Sequence, residues 1–274
     1  MKLKEIPPSL YHSLRLSLKS KKAFNEDTKQ RIPVIVSLTT IPSRIKALHI
    51  TIRSLLNQEV LPEKIVLWLN DSYQNNIPVN LQKLLGDTFE IRFSPYTFSH
   101  RKLIHSIENF PNRIIITCDD DLIYHPESLK ELYQEHLKNP NVIIGNRCRR
   151  ITFDSNNNPL PYLQWPFAKK TFPGEKLLMP VGAFLVLYPP NSLDKRFNDI
   201  ELINKLSPKS DDLWFKTTAL LNDTLSIQAE KEPPKPWPII GSQSVSLKSV
   251  NNKLDYKRVQ WEQIIEYFNF KFES

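Results

Sequence analysis

The run Arg113-Ile-Ile-Ile-Thr-Cys118 passes without a break into Asp119, Asp120 and Asp121. So apolar a segment suits a strand buried on both faces of a sheet. Three adjacent carboxylates repel one another and are poor strand formers, so the strand must end where they begin. The fold has to bury the strand and still bring its end to a place that tolerates acids. A solvated acidic turn is one such place. The rim of a sheet holding a divalent cation is another, and the apolar strand running straight into the acids favours it. In extended backbone Asp119 and Asp121, two apart, point the same way and can share one ion with a diphosphate. Carboxylate, phosphate and water oxygens suit a hard cation, Mn2+ or Mg2+.

The rest of the chain alternates short apolar runs with helix-like segments. Strands are predicted at 33–38, 64–69, 89–93, 113–118 and 141–145, with helices at 45–57, 101–108 and 126–138. Such alternation implies parallel crossovers and a doubly wound α/β sheet, whose ligands bind beyond the carboxyl ends of the strands. The second half is less regular. Residues 154–180 read as a long loop or lid, 183–188 as a core strand, 210–221 as a helix capped by Ser210, 224–229 as a last strand and 256–268 as a final helix. The proline-rich stretch 230–238 excludes a regular helix or central strand and reads as extended surface chain.

At 274 residues the chain is long enough for one large α/β domain. The expected division is a basic N-terminal extension (1–31), a catalytic domain (32–229), and a proline-rich connection with a C-terminal helix packed on the domain (230–274). The longest nearly apolar run, Met179 to Leu187, is too short to span a membrane, and no secretory signal is apparent. Two cysteines, Cys118 and Cys148, suit a reducing compartment. The expectation is a cytoplasmic protein, with association to the inner face of the cytoplasmic membrane left open. Of the net charge of +8, a local excess of five falls in residues 1–31, where eight Lys or Arg face three acids. Leu10, Leu14 and Leu18 recur there at helical spacing. The pattern fits an interfacial amphipathic helix as well as a helix packed on the domain with solvated charges.

Taken in order, several segments resemble a GT-A glycosyltransferase. They are Val34-Ile-Val-Ser-Leu-Thr-Thr-Ile-Pro-Ser-Arg44, Ser54-Leu-Leu-Asn-Gln58 with Pro62-Glu-Lys-Ile-Val-Leu-Trp68, Ile114 to Tyr124 with its D-x-D triad, and Ser210-Asp-Asp-Leu-Trp214. The chain is similar to family 2-like bacterial enzymes that build capsule or lipopolysaccharide glycans. The resemblance implies a GT-A (Rossmann-like), mostly parallel central sheet flanked by helices, with a mixed acceptor-side half. It implies a nucleotide-diphosphate sugar as donor, a UDP-sugar favoured, and a hexosyl-type transfer to a glycan or lipid-linked acceptor. Thr39, Thr40 and Arg44 would hold the nucleotide, and Asn70 and Asp71 would contact the base. Lys102 and Asp120 would join the donor site, Asp119 would face ribose or metal, and Asp121 would ligate the metal.

An inverting transfer needs a carboxylate to take the acceptor hydroxyl's proton. Asp212, and less so Asp211, fit the acidic pair that inverting relatives place at the start of a late helix. Acids in a first helical turn also stabilise the helix dipole with no catalytic role. Trp165 and Trp214 could stack on sugars, though core packing suits either one better. Related enzymes complete the metal shell with a late His, and none follows His136 here. A haloacid-dehalogenase-like phosphatase also carries paired Asp, but its motif opens the domain and is not followed by residues such as Leu122-Ile123. A nucleotidyltransferase would need a glycine-rich loop after the first strand, and the chain has only five Gly. A basic nucleic-acid-binding protein is the non-enzymatic alternative, but no nucleic-acid motif occurs.

Overall fold

A computed structural model describes residues 3–24, 26–169, 174–231, 233–242 and 255–272. In chain order, α1 (Ile6–Leu18) precedes β1 (Arg31–Thr39), α2 (Leu48–Leu56), β2 (Leu61–Asn70), the short α3 (Val79–Gln82), β3 (Phe89–Ser94), α4 (Arg101–Asn109) and β4 (Ile114–Thr117). Beyond the acidic triad come β5 (Leu122–Ile123), α5 (Ser128–Lys138), β6 (Ile143–Gly145), β7 (Cys148–Arg150), β8 (Leu178–Pro180) and β9 (Val186–Tyr188). The last elements are α6 (Ile200–Leu206), α7 (Asp211–Leu221), β10 (Ser226–Gln228), β11 (Trp237–Pro238) and α8 (Tyr256–Phe268).

Seven strands form the central sheet in the order β10-β6-β9-β4-β1-β2-β3. β1 pairs in parallel with both β2 and β4, and β2 with β3. β9 is antiparallel to β4 and β6, which makes the far half mixed. This is the GT-A arrangement. β1 is apolar on both sides because both faces are covered. Val34, Val36 and Leu38 pack with Leu48, Ile52 and Leu55 of α2. Ile35 faces the other way, among Leu103, Ile104, Trp214 and Trp261. Each fully buried Leu or Ile contributes roughly 1.5–3 kcal/mol, so the two layers fix the strand's register.

Several elements depart from expectation. α2 begins at Leu48 rather than Ile45, because residues 42–47 turn. The predicted lid, 154–180, is partly built into the core: Trp165 is fully buried, and β8 pairs antiparallel with β7. The proline-rich stretch stays out of the central sheet, as expected, but its extended end forms a short strand that the sequence did not show, β11, paired antiparallel with β5. Ser210 sits at the N-cap of α7 without capping it, since its buried hydroxyl has no hydrogen-bond partner.

Candidate active site

From β1 the chain runs to β2 and β3 on one side, while β4 lies on the other. A sheet that splits its connections this way opens a crevice at the strands' carboxyl ends. Thr39 and Thr40 close β1 there, and Cys118 to Asp121 follow β4. The acids do not continue the strand. Residues 120–121 form a turn, so the extended-backbone argument for Asp119 and Asp121 does not apply. Instead the triad divides between two cations.

Asp120 is buried and turned toward the loop after β1. It accepts a hydrogen bond from the Thr40 hydroxyl and pairs with Arg44 Nη1 at 2.7 Å. Arg44 also reaches Asp121 through Nη2 at 3.2 Å and donates from Nε to the Ser242 carbonyl at 3.1 Å. Asp119 leans the other way, to Lys102 Nζ at 3.1 Å. Its backbone N–H donates to the Tyr124 hydroxyl at 2.9 Å, so a buried tyrosine just past β5 fixes where β4 ends.

Lys102 stands in the first turn of α4, and its ammonium also contacts Asp211 Oδ2 at 3.1 Å. One buried lysine thus ties the end of β4 to the start of α7. Asp212, next along α7, accepts from the Gly182 N–H at 3.2 Å and pairs with Lys257 Nζ of α8 at 3.0 Å. Gly182 marks where the two halves meet. A Cβ built on it would lie 2.9 Å from Asp212 Oδ1, 3.8 Å from Asp119 Oδ1 and 3.9 Å from Lys102 Nζ. The absence of a side chain is what lets Asp212 approach so closely.

These contacts set the protonation of the site. Burial works against the charge on Asp211, but Lys102 and His100 outweigh it and hold the carboxyl well below the usual range. Burial and the neighbouring Asp211 raise Asp212, against the pull of Lys257. Burial, then the charge of Asp119, pushes Asp121 up to about 7 despite Arg44. Burial disfavours the charge on Lys102, yet Asp211, Asp119 and Asp212 raise it well above its ordinary value. Five carboxylates (Asp119, Asp120, Asp121, Asp211, Asp212) face the three cations Arg44, Lys102 and Lys257. Fully ionised, this set is two positive charges short.

The sequence profile of Glycosyl transferase family 2 matches residues 40–188, more than half of the chain. The chain belongs to glycosyl transferase family 2. The matched segment contains the acidic triad, Lys102 and Gly182, and ends before Asp211 and Asp212. No curated protein matches the sequence. Among solved structures the transferase is similar to 4-diphosphocytidyl-2C-methyl-D-erythritol synthase from Anaerococcus prevotii, at 12% identity and a TM-score of 0.46 over 83% of this chain and 97% of that one. It is also similar to CMP:2-keto-3-deoxy-manno-octonic acid synthetase complexed with CTP, at 11% identity and a TM-score of 0.39 over 85% and 100%. Neither overlap is close enough to bear on the chemistry.

Enzymes of this fold commonly use a divalent cation, and the transferase's residues fit one in a limited way. The ionisation of Asp121 is opposed by the charge of Asp119, a conflict that a bound cation relieves. Among the described residues no three His, Cys, Asp or Glu side chains converge as a metal cluster. The chain therefore offers carboxylates for part of a coordination shell, with a diphosphate and water needed for the rest.

The structure gathers Thr40, Arg44, Lys102, Asp119, Asp120, Asp121, Asp211 and Asp212 at one end of the sheet. Thr39 is one step away, accepting from Arg101 Nε at 2.5 Å and donating to the Trp68 carbonyl at 2.8 Å. Asn70 turns the chain: its side chain accepts from Ser72 N–H and donates to the Pro95 carbonyl. Asp71 is exposed beside it. Trp165 and Trp214 are fully buried, their indole N–H groups on the carbonyls of Leu160 and Phe197, and so are closed to a sugar. Sequence reasoning missed Lys257, Tyr124 and Arg101. Arg101 joins Thr39 and the Thr40 carbonyl to the Tyr96 carbonyl across the crevice. Nothing local marks Lys257, 45 residues after its partner Asp212.

Proposed function

We propose that this family 2 glycosyltransferase moves a hexose from a nucleotide-diphosphate sugar, a UDP-sugar, to a glycan or lipid-linked glycan acceptor in the synthesis of bacterial surface polysaccharide such as capsule or lipopolysaccharide. The observation that carries this reading is the meeting of Asp119, Lys102 and Asp212 around Gly182. The donor side of the sheet and an acidic helix start meet there.

In this reading Thr39, Thr40, Asn70 and Asp71 line the nucleotide end, and Arg44 orders Asp120 and Asp121 beneath the diphosphate. Asp119 and Asp121 would hold Mn2+ or Mg2+, which when bound stabilises negative charge on the leaving diphosphate. Lys102 adds a fixed positive charge beside Asp119. Transfer breaks the bond from the anomeric carbon to the diphosphate oxygen, and the electron pair leaves with the nucleotide. The acceptor oxygen forms the new bond and gives its proton to a carboxylate. Asp212 suits that role better than Asp211. Its pKa is raised, which makes the ionised form a stronger base, whereas Asp211 is held ionised by Lys102. A direct displacement of this kind inverts the anomeric centre.

The test is incubation with a panel of nucleotide sugars and Mn2+, following free nucleotide, then NMR of the product made from the active donor. Nucleotide release that depends on both acceptor and Mn2+, with inverted stereochemistry, is expected. Release from no nucleotide sugar, with or without acceptor extracts, would refute the reading.

A further inference from the structure

Helix α1 has two unlike faces. One is packed on the domain. Ser9 and Leu16 are buried, the Ser9 hydroxyl donates to the Pro238 carbonyl at 2.6 Å, and Leu16 clusters with Ile123 and Ile239. His12 stacks on Trp237 with ring centroids 3.9 Å apart, and Arg53 Nη1 donates to the Leu16 and Lys19 carbonyls at the helix's end. The other face is apolar and bare. Leu10 is 49% exposed, Leu14 54% and Leu18 84%, with Ile6 and Tyr11 also exposed, and Leu3, in the 3-10 turn just before the helix, is 86% exposed. Residues spaced by three or four share one side of a helix, so these leucines form a single stripe. Soluble surfaces rarely leave so continuous an apolar row to water unless it serves an interaction.

Charge says what covers it. The helix contains no acid; the nearest, Glu5, is drawn to Lys235 at 2.7 Å. Arg15 on the helix, and Lys4 and Lys22 just beyond its two ends, are exposed. An apolar row on a helix already held in place, with basic side chains on it and at both its ends, is complementary to an anionic lipid surface. No helix among the described residues is long and apolar enough to cross a membrane, so such contact is peripheral. We propose that α1 docks the protein on an anionic bilayer, its leucine row entering the headgroup region while Ser9, His12 and Leu16 stay on the domain. The helix is coupled to the site through β11. Just after β11, the Ile239 N–H donates to the Asp121 carbonyl at 2.9 Å. Docking itself does not depend on the proposed chemistry.

The experiment is co-sedimentation of the full chain with phosphatidylcholine vesicles, with and without phosphatidylglycerol, at low and high salt. Wild type should partition into phosphatidylglycerol vesicles and be released by salt. The double variant Leu10→Glu with Leu14→Glu should lose roughly tenfold or more in partitioning. Lys4→Glu with Arg15→Glu should lose about fivefold per charge. Both variants should keep the wild-type melting temperature, because the changed side chains touch solvent. Equal binding of wild type and the leucine variant would overturn the proposal, as would binding no better with phosphatidylglycerol than without it. So would a wild-type dimer, seen by light scattering, that the leucine variant abolishes while neither protein binds vesicles.

Discussion

Gly182 lies so close to Asp212 that one added methyl group must move the acid, and the result can be worked out in advance. In Gly182→Ala the new Cβ would sit 2.9 Å from Asp212 Oδ1, closer than any real Cβ contact, while ordinary contact begins near 3.4 Å. Gly182 does not occupy the left-handed region, so alanine fits its backbone without strain. Asp119 and Lys102, at 3.8 and 3.9 Å, meet the methyl at ordinary distance and need not move. The displacement falls on Asp212, which must retreat by about half an ångström. Its bond from the Gly182 N–H, already 3.2 Å, is then lost, while Lys257 still holds the other oxygen. A hydrogen bond to a charged group contributes about 1.5–3 kcal/mol, and at 1.36 kcal/mol per tenfold that is a fall in kcat of roughly 10–100-fold. The assay is steady-state nucleotide release at saturating donor and acceptor, with a thermal melt as control. Donor KM should change little. A variant that melts like wild type and keeps wild-type kcat would show that Asp212 is not placed by Gly182, or takes no part in the reaction.

Asp121→Ala should reduce transfer by about 10³-fold or more at an unchanged or higher melting temperature, because it removes a buried carboxyl that resists ionisation; Mn2+-dependent turnover at the wild-type rate would remove this residue from any metal site. Asp212→Asn should lower kcat by about 10²–10⁴ and leave donor KM nearly alone. Asp211→Asn should act on the fold instead, costing about 3–5 kcal/mol in urea denaturation, since it leaves the buried Lys102 ammonium short of a partner. Lys257→Met should move the acid limb of the kcat–pH profile upward, because the lysine pulls the Asp212 pKa down; an unmoved limb would mean the pair is structural only. Lys216, buried in α7 with its ammonium on Ser226 Oγ at 3.3 Å, is lowered by burial to about 7. Between that value and its unfolded pKa the unfolded chain binds more protons, so this lysine's cost to the fold shrinks as pH rises from about 7 to 10. Lys216→Met should stabilise by roughly 4 kcal/mol near neutral pH, with the gain fading above it. A gain independent of pH would refute burial of the charge as its cause.

The strands were legible where both of their faces are buried. β1, β2 and β4 are apolar almost throughout because layers cover both sides, and no pairing information was needed to see them. The short strands β5, β7, β8 and β11 were not legible, since two or three residues carry no periodicity and exist only by pairing with remote segments. The same holds in the site. Asp119, Asp120 and Asp121 announced themselves as a cluster at a strand's end. Their division between Arg44 and Lys102 depends on a turn at 120–121 that the sequence alone read as extended chain. Lys257 was invisible for a further reason. A lysine near the start of a helix reads as a solvated charge, and only the docking of α8 on α7 buries it against Asp212.

Composition and periodicity alone determined the layered α/β class, the strand that ends in acids and the basic, leucine-spaced N-terminus. These are properties of consecutive residues, governed by local sterics and by the burial each segment demands. Tertiary structure alone decided which cation meets which carboxylate, that Gly182 sits against both Asp119 and Asp212, and which face of α1 remains bare. Those outcomes depend on distances between segments far apart in the chain, which exist only once the sheet has assembled and the helices have packed on it.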